Sequence, residues 1–184
     1  MTAPGARPQR PGFLTRMMLL HLAVVALVVA MCGGVYGWLT YERLGRDAED
    51  QALAIARAVA GTDDVREAVA EVAAAGPEAL DPEVLARGPL QSDAEDIRRR
   101  TQALFVVVFD EDGLRLSHPN PAQLGQRVST DPSEPLAGRE YTGQARGTLG
   151  RSARAKVPVY APGSSTEVIG GVNVGFSRAD VFNS

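Results

Sequence analysis

FVVVFDEDGLRLSHPNPAQLGQ, residues 105–126, is the stretch that decides the fold of the larger part of this chain. It begins with an apolar run rich in β-branched residues, which is typical of a buried strand. The acid-rich turn Asp110–Gly113 follows, and the alternating segment 114–118 is predicted to be the partner strand of a hairpin. Pro119 and Pro121 have no N–H to donate, so we expect the strand pairing to end there.

Three further segments downstream are typical of strands. They alternate apolar and polar residues or are rich in β-branched ones, and a Pro/Gly/Ser turn separates the last two. The segments are 140–146, 153–160 and 167–176. Together with the hairpin they predict an antiparallel meander of about five strands.

The residues before this sheet are predicted to be helical. Apolar residues recur at three- and four-residue intervals across 42–75, with a stop at Gly61 and Thr62 as the N-cap of the next helix. After a proline-rich loop, Ser92 and Glu95 form a capping-box pattern that predicts another helix start. Helices followed by an antiparallel sheet indicate an α+β fold.

The N-terminal part of the chain carries an apolar segment. Residues 17–41 hold no formal charge, and a helix of that length spans about 37 Å, more than a hydrocarbon core of about 30 Å. Arginines precede the segment and acidic residues follow it, so the positive-inside bias places the N-terminus in the cytoplasm. We expect an uncleaved plasma-membrane anchor behind a cytoplasmic tail, residues 1–16. A cleaved export signal or lipidation at Cys32 is the alternative.

Charge and residue counts exclude several classes of protein. The chain has 184 residues with 19 basic and 22 acidic side chains, and no acid precedes Glu42. The part after the apolar segment is therefore acidic overall, which argues against general nucleic-acid binding. A single cysteine excludes an intrachain disulfide, and two histidines exclude a multi-histidine zinc site. We expect no metal and no cofactor.

A group of basic residues on predicted strands is the candidate site. Arg154 and Lys156 lie two apart and therefore face the same side of a strand. Arg115 and His118 lie on the predicted second strand of the hairpin. If these strands are neighbours, the four groups could converge on one anion, because arginine grips a carboxylate with two parallel hydrogen bonds. Solvated charges on the outer face of a half-exposed sheet are the alternative that spacing leaves open.

Four motifs in one order resemble a known family. They are R-x-x-H-P after the turn, R-G-x-L-G, R-x-K-x-P and a closing glycine-punctuated strand. This order resembles the extracytoplasmic domain of the citrate and four-carbon dicarboxylate sensor histidine kinases, over roughly residues 42–178. The resemblance implies a PAS-like single Cache domain, with long N-terminal helices against a central antiparallel sheet and one transmembrane helix before it.

The resemblance also implies a ligand-binding set. The arginines, the histidine and the lysine of these motifs would bind ligand carboxylates, and the lysine matches the citrate-sensing branch. The loop 147–150 would supply hydroxyl and backbone contacts, although an ordinary glycine-rich turn is the reading from its residues alone. The implied residues are Arg115, His118, Thr148, Leu149, Arg154, Lys156 and Asn173.

The expected function is that of a membrane-anchored sensor module of a two-component histidine kinase. It would bind citrate or a related di- or tricarboxylate outside the cytoplasm, as a homodimer through the 42–75 helices. Members of the family continue into a second membrane helix and a kinase core. Residues 179–184 are therefore expected to be a stub before that helix, and the chain itself is not expected to be an enzyme. The alternatives are a chemotaxis-type or other transducer for a different small anion, and a non-binding, dimerising membrane anchor.

Overall fold

Two compact units divide the chain between residues 43 and 44. The computed structural model describes residues 12–147 and 149–177. Helix α1 (Phe13–Ala60) provides the described part of the first unit. Its segment Phe13–Thr40 is long and apolar enough to cross a membrane, with a mean hydropathy of 2.4 and exposed side chains.

The helices of the second unit follow the predicted pattern with two local differences. After α1 they are α2 (Asp63–Ala75), α3 (Pro82–Arg87), α4 (Pro89–Thr101) and α5 (Ser133–Leu136). Thr62 occupies the N-cap position of α2, but its hydroxyl donates to the Val59 carbonyl at 2.8 Å instead of capping. The predicted start at Ser92 is wrong. Helix α4 begins at Pro89, because proline suits the first helical position, and Glu95 pairs with Arg98 instead.

Four antiparallel strands form the sheet. They are β1 (Phe105–Asp110), β2 (Tyr141–Gly147), β3 (Gly150–Tyr160) and β4 (Val168–Ser177). The spatial order is β1-β4-β3-β2, so the last strand in sequence lies between the first and third. The predicted α+β fold with a central antiparallel sheet is confirmed.

The prediction of a strand at 114–118 is wrong, and the described sheet has four strands instead of about five. This segment runs beside β1 and forms only isolated bridges with its surroundings. The N–H groups of Leu116 and Ser117 both donate to the Val108 carbonyl, at 2.8 and 3.2 Å. The Ser117 hydroxyl accepts from the Val108 N–H at 2.8 Å. Because one side chain replaces a backbone acceptor, the regular ladder cannot continue.

The two faces of the sheet differ in chemistry. Along β3, buried apolar residues alternate with polar ones, so that one face joins the helices in a common apolar core. The β3 residues of this core face are Ala153, Ala155, Val157 and Val159. The opposite face carries Arg154 and Lys156, both buried.

Glycines in β4 make room for aromatic rings on that opposite face. Gly175 pairs with Phe105 and Gly171 with Phe109 across β1 and β4. A Cβ atom at position 175 would lie 2.3 Å from the Phe105 ring, and one at 171 would lie 2.4 Å from the Phe109 ring. The two rings therefore lie directly over the β4 backbone. Asn173 projects between them on the same face.

Candidate functional site

The polar face of the sheet forms a small, partly open pocket. Strands β1, β3 and β4 line it together with the segment after the β1 turn and a loop around residue 129. None of the lining residues is acidic. The lining residues are Phe105, Val107, Arg115, His118, Val128, Ser129, Thr130, Leu149, Arg154 and Asn173.

Five of the seven predicted site residues line this pocket, and Lys156 does not. Arg115, His118, Leu149, Arg154 and Asn173 come together in it. Thr148 lies outside the described residues.

Lys156 lies beside the pocket without lining it. It is two residues from Arg154 on the same face of β3, but its Nζ donates to the Asp131 carbonyl. The ammonium group also lies 5.5 Å from the centre of the Tyr141 ring. Of the four residues predicted to converge, Arg115, His118 and Arg154 therefore line the pocket, and Lys156 lies at its edge.

Arg154 is held by contacts on two sides of its guanidinium. Nη2 donates to the Ser152 hydroxyl at 2.8 Å and to the Ala145 carbonyl at 3.1 Å. Nη1 lies 3.4 Å from the Thr130 hydroxyl. The guanidinium carbon lies 5.3 Å from the centre of the Phe105 ring, a cation–π contact. These contacts orient a side chain that is 2 % exposed.

The three cations of this face are buried without a paired carboxylate. Arg115, Arg154 and Lys156 form no salt bridge within the part of the chain that the structure describes. Burial lowers the pKa of each, and the charge of Arg154 lowers the pKa of Lys156 further. The charge of Asp131 offsets part of the effect on Lys156. Buried charges of one sign are costly unless an opposite charge joins them.

The same cations hold the loop 126–131 against the sheet. Arg115 Nη1 donates to the Arg127 carbonyl at 2.7 Å. Arg154 contacts the Thr130 hydroxyl, and Lys156 donates to the Asp131 carbonyl. Each cation therefore binds at least one oxygen of this loop, and Arg115 and Arg154 also face the pocket.

His118 is fixed by α4 and by its own loop. Gln91 of α4 accepts from the His118 N–H and donates to its carbonyl, both at 2.9 Å. Nδ1 of the ring lies 3.0 Å from the Asn120 N–H, which donates to it, and 3.1 Å from the Asn120 carbonyl. Burial lowers the pKa of His118, and the charge of Arg115 lowers it further, while the Asn120 backbone partly offsets both.

Two buried polar atoms of the pocket have no hydrogen-bond partner among the described residues. They are Nε of Arg154, a donor, and Oδ1 of Asn173, an acceptor. Buried polar groups in folded proteins are nearly always paired. Both atoms are therefore open to partners that the described residues do not supply.

The pattern of the sequence did not indicate five lining residues. Phe105 and Val107 belong to an apolar run that predicts only a buried strand. Val128, Ser129 and Thr130 lie in a loop whose composition gives no sign of a site. The one signal in the sequence that could have indicated two of them is the period of two along β1. It places Phe105 and Val107 on one face of the strand, the face shared by their β4 partners Gly175 and Asn173.

Comparison with known proteins gives consistent matches. Residues 39–183 match the family described as Single cache domain 3. Sensor protein CitS of Halalkalibacterium halodurans is 35% identical over 176 residues, covering 92% of this chain and 29% of CitS. Sensor histidine kinase DcuS of Escherichia coli is 28% identical over 154 residues, covering 83% of this chain and 26% of DcuS.

A solved structure agrees with these matches. The crystal structure of the E. coli DcuS sensor domain superimposes with a TM-score of 0.64 at 28% identity, covering 77% of this chain and 96% of that domain. DcuS is described as a membraneous two-component fumarate sensor. The chain thus spans less than a third of the curated relatives, and the matched part of them is the sensor domain. With its helices against an antiparallel sheet and its pocket on the outer face, this chain belongs to the single Cache domain 3 family.

Proposed function

We propose that the pocket binds citrate or a related di- or tricarboxylate, and that the chain acts as the extracytoplasmic sensor module of a two-component histidine kinase. The observation that carries the proposal is the set of three buried cations that no carboxylate of the described residues pairs, at a pocket with no acidic residue among its described lining. A small polyanion supplies the missing opposite charge. The similarity to DcuS, a fumarate sensor, supports a carboxylate ligand.

The residues have distinct roles in this proposal. Arg154 and Arg115 would each grip one carboxylate, while His118 and the backbone beside Leu149 add hydrogen bonds. Lys156 would act as a point charge at the edge of the pocket. A charge-assisted hydrogen bond contributes about 1.5–3 kcal/mol, and several of them suffice for micromolar affinity.

Calorimetry on the full chain in detergent micelles tests the proposal. Citrate, malate and succinate are titrated separately, with a neutral sugar as the control. We expect saturable binding of carboxylates and none of the sugar. Equal responses to all four compounds, or none to any, would contradict it.

The membrane arrangement is part of the same proposal. The chain would lie in the plasma membrane with its N-terminus in the cytoplasm and its sensor domain outside. Protease added to the outside of intact spheroplasts should then digest the domain after the apolar segment. Protection of that domain in sealed cells would contradict the orientation.

A homodimer through the 42–75 helices is the proposed assembly. Ala54 is exposed on α1, and Ala54→Cys in a Cys32→Ser background offers a crosslinking site on that surface. Oxidation in membranes should give a disulfide-linked dimer, whereas a cysteine at exposed Glu111, far along the chain, should not. Equal crosslinking at both positions would argue against this surface.

The alternative functions predict different results in these assays. A transducer for amino acids would bind one of them more tightly than any di- or tricarboxylate. A non-binding anchor would crosslink through α1 and show no heat with any ligand.

A further inference from the structure

Gln91 of α4 supplies both hydrogen-bond partners of the His118 backbone. Its Oε1 accepts from the His118 N–H and its Nε2 donates to the His118 carbonyl, each at 2.9 Å. Only one orientation of the amide satisfies both groups, so the contact is specific. The side chain of Gln91, although it lies on a helix, thus binds His118 in the way that the backbone of a neighbouring strand does.

The local sequence explains why a side chain is needed there. The N–H groups of the two residues before His118 still reach a carbonyl of β1, but neither peptide group of His118 bonds any described backbone group. Pro119 follows and has no N–H to donate, so regular pairing cannot resume. His118 is nevertheless 3 % exposed, and buried peptide groups need partners. Gln91 is therefore the contact that fixes the His118 backbone where the pairing ends.

The position of this backbone determines where the imidazole meets a ligand. The Asn120 N–H donates to Nδ1 at 3.0 Å, so a neutral ring carries its proton on Nε2. Nε2 forms no hydrogen bond with any described residue, and His118 lines the pocket. Nε2 is thus the ring nitrogen left for a ligand carboxylate. Because hydrogen bonds weaken steeply when misaligned, a shift of the backbone would weaken this one.

From these contacts we infer that Gln91 is a positioning residue of the pocket, which acts on the ligand through His118. Gln91 is not among the described residues that line the pocket, so its effect does not need contact with the ligand. The inference rests on the proposed binding of carboxylates and adds to it a residue on a helix outside the pocket. Binding groups depend on such support for their geometry.

Calorimetry with citrate on the full chain in micelles tests the inference. Gln91→Met keeps the length of the side chain and removes both hydrogen bonds to His118. We expect citrate affinity to fall about tenfold, the order of one charge-assisted hydrogen bond. Ser92→Met is the control, because it introduces the same side chain at the neighbouring exposed position of α4. It should bind citrate as the unmodified chain does.

A double-mutant cycle with His118→Ala separates positioning from a general loss of structure. Alanine keeps the peptide groups that Gln91 binds and removes only the ring. In the His118→Ala background, Gln91→Met should therefore have no further effect on citrate affinity, since no ring remains to be positioned. A purely structural role would give the same loss of affinity with and without the ring.

A measurement on the unmodified chain decides the matter if Gln91→Met fails to fold. When citrate saturates the pocket, the bond to His118 should alter the environment of the Gln91 side-chain amide. Its NMR signals should then shift, whereas those of Gln51, exposed on α1, should not.

The outcomes separate this inference from the proposed function. Unchanged citrate affinity in folded Gln91→Met overturns the inference and leaves carboxylate binding intact. An equal loss in Ser92→Met, additive effects in the cycle, or unshifted Gln91 signals at saturating citrate also overturn it. Absence of citrate binding by the unmodified chain overturns the inference and the proposed function together.

Discussion

Arg154 is the residue on which the proposed binding depends most, since it is buried, oriented by four groups and paired by no carboxylate in the part of the chain that the structure describes. Arg154→Ala should weaken citrate binding by about 2–5 kcal/mol, because it removes one partner of a buried charge pair. Arg154→Lys should give an intermediate loss, since lysine keeps the charge but not the forked geometry. Arg87→Ala is the control, because Arg87 is exposed and pairs only with Glu83. Calorimetry on folded variants measures all three; an unchanged affinity in Arg154→Ala would remove this residue from the pocket's function.

His118 should make binding depend on pH. In the unliganded domain burial and Arg115 hold the pKa of His118 below its ordinary value near 6.5, whereas a bound carboxylate favours the protonated ring and raises the pKa. Binding therefore takes up a proton, and affinity should increase as pH falls through the pKa of the liganded state. His118→Gln should lose the part of the pH dependence of affinity that comes from this histidine. Because the ligand itself also titrates, its contribution is removed by comparing the variant with the unmodified chain at each pH. Parallel affinity curves for the two proteins would show that His118 does not titrate with binding.

The same lowered pKa affects stability without ligand. Because the unfolded chain binds the proton more readily than the folded one, the folded state is favoured as pH rises through the interval between the lowered pKa and 6.5. Stability is then lost as pH falls through that interval. Thermal unfolding between pH 5 and 8 should show this loss in the unmodified chain and a smaller one in His118→Gln.

Among the elements, β4 has the tightest packing requirement on the pocket face. In Gly175→Ala the new Cβ would lie 2.3 Å from the Phe105 ring, so the ring that supports Arg154 must move. We expect a loss of about 1–3 kcal/mol in the free energy of unfolding. In a Phe105→Leu background the same change should cost less, because the ring atoms that clash are gone. A double-mutant cycle by chemical denaturation measures this coupling, and additive effects would contradict the predicted contact.

The elements that sequence patterns predicted well are those whose pattern reflects burial. Strand β1 follows from its run of apolar β-branched residues. Strand β3 alternates apolar and polar residues, and the same period of two places Arg154 and Lys156 on a common face. The segment 114–118 alternates too, yet Ser117 replaces a ladder acceptor with its hydroxyl. An alternating pattern reports which residues face the core, but it does not report which atom accepts each hydrogen bond.

The pocket was predictable only in part for a related reason. Charged residues stand out against an apolar, alternating background, and this contrast identified both Arg154 on β3 and Arg115 in the segment after the β1 turn. The partner of Lys156 is a backbone carbonyl 25 residues away, and every residue has such a group. Ser129 and Thr130 contribute from a loop, where no periodicity restricts their orientation. Long-range backbone contacts leave no pattern in a single sequence.

For the molecule as a whole, the proposed binding predicts a domain that is more stable with ligand than without it, because the described residues supply no carboxylate partner to its buried cations. Ligand at one hundred times its Kd should stabilise the folded state by about 2.7 kcal/mol, raising the unfolding temperature. Lys156→Met removes one buried charge at similar volume, and burial of a charge without an opposite charge beside it is costly. We expect this variant to unfold at an equal or higher temperature without ligand and to gain less from citrate. Thermal unfolding followed by circular dichroism measures both; a large destabilisation of empty Lys156→Met would contradict the argument.

The attachment of the loop 126–131 through oxygen atoms has a consequence for the divergence of such domains. At Arg127 and Asp131 the oxygen that binds a cation belongs to the peptide group, so substitution of either side chain leaves the attachment available. The loop can therefore keep the same backbone conformation, bound by the same cations, while its side chains change. A receptor built in this way can acquire a new ligand preference by mutation of its loop, without rebuilding the strands that hold it.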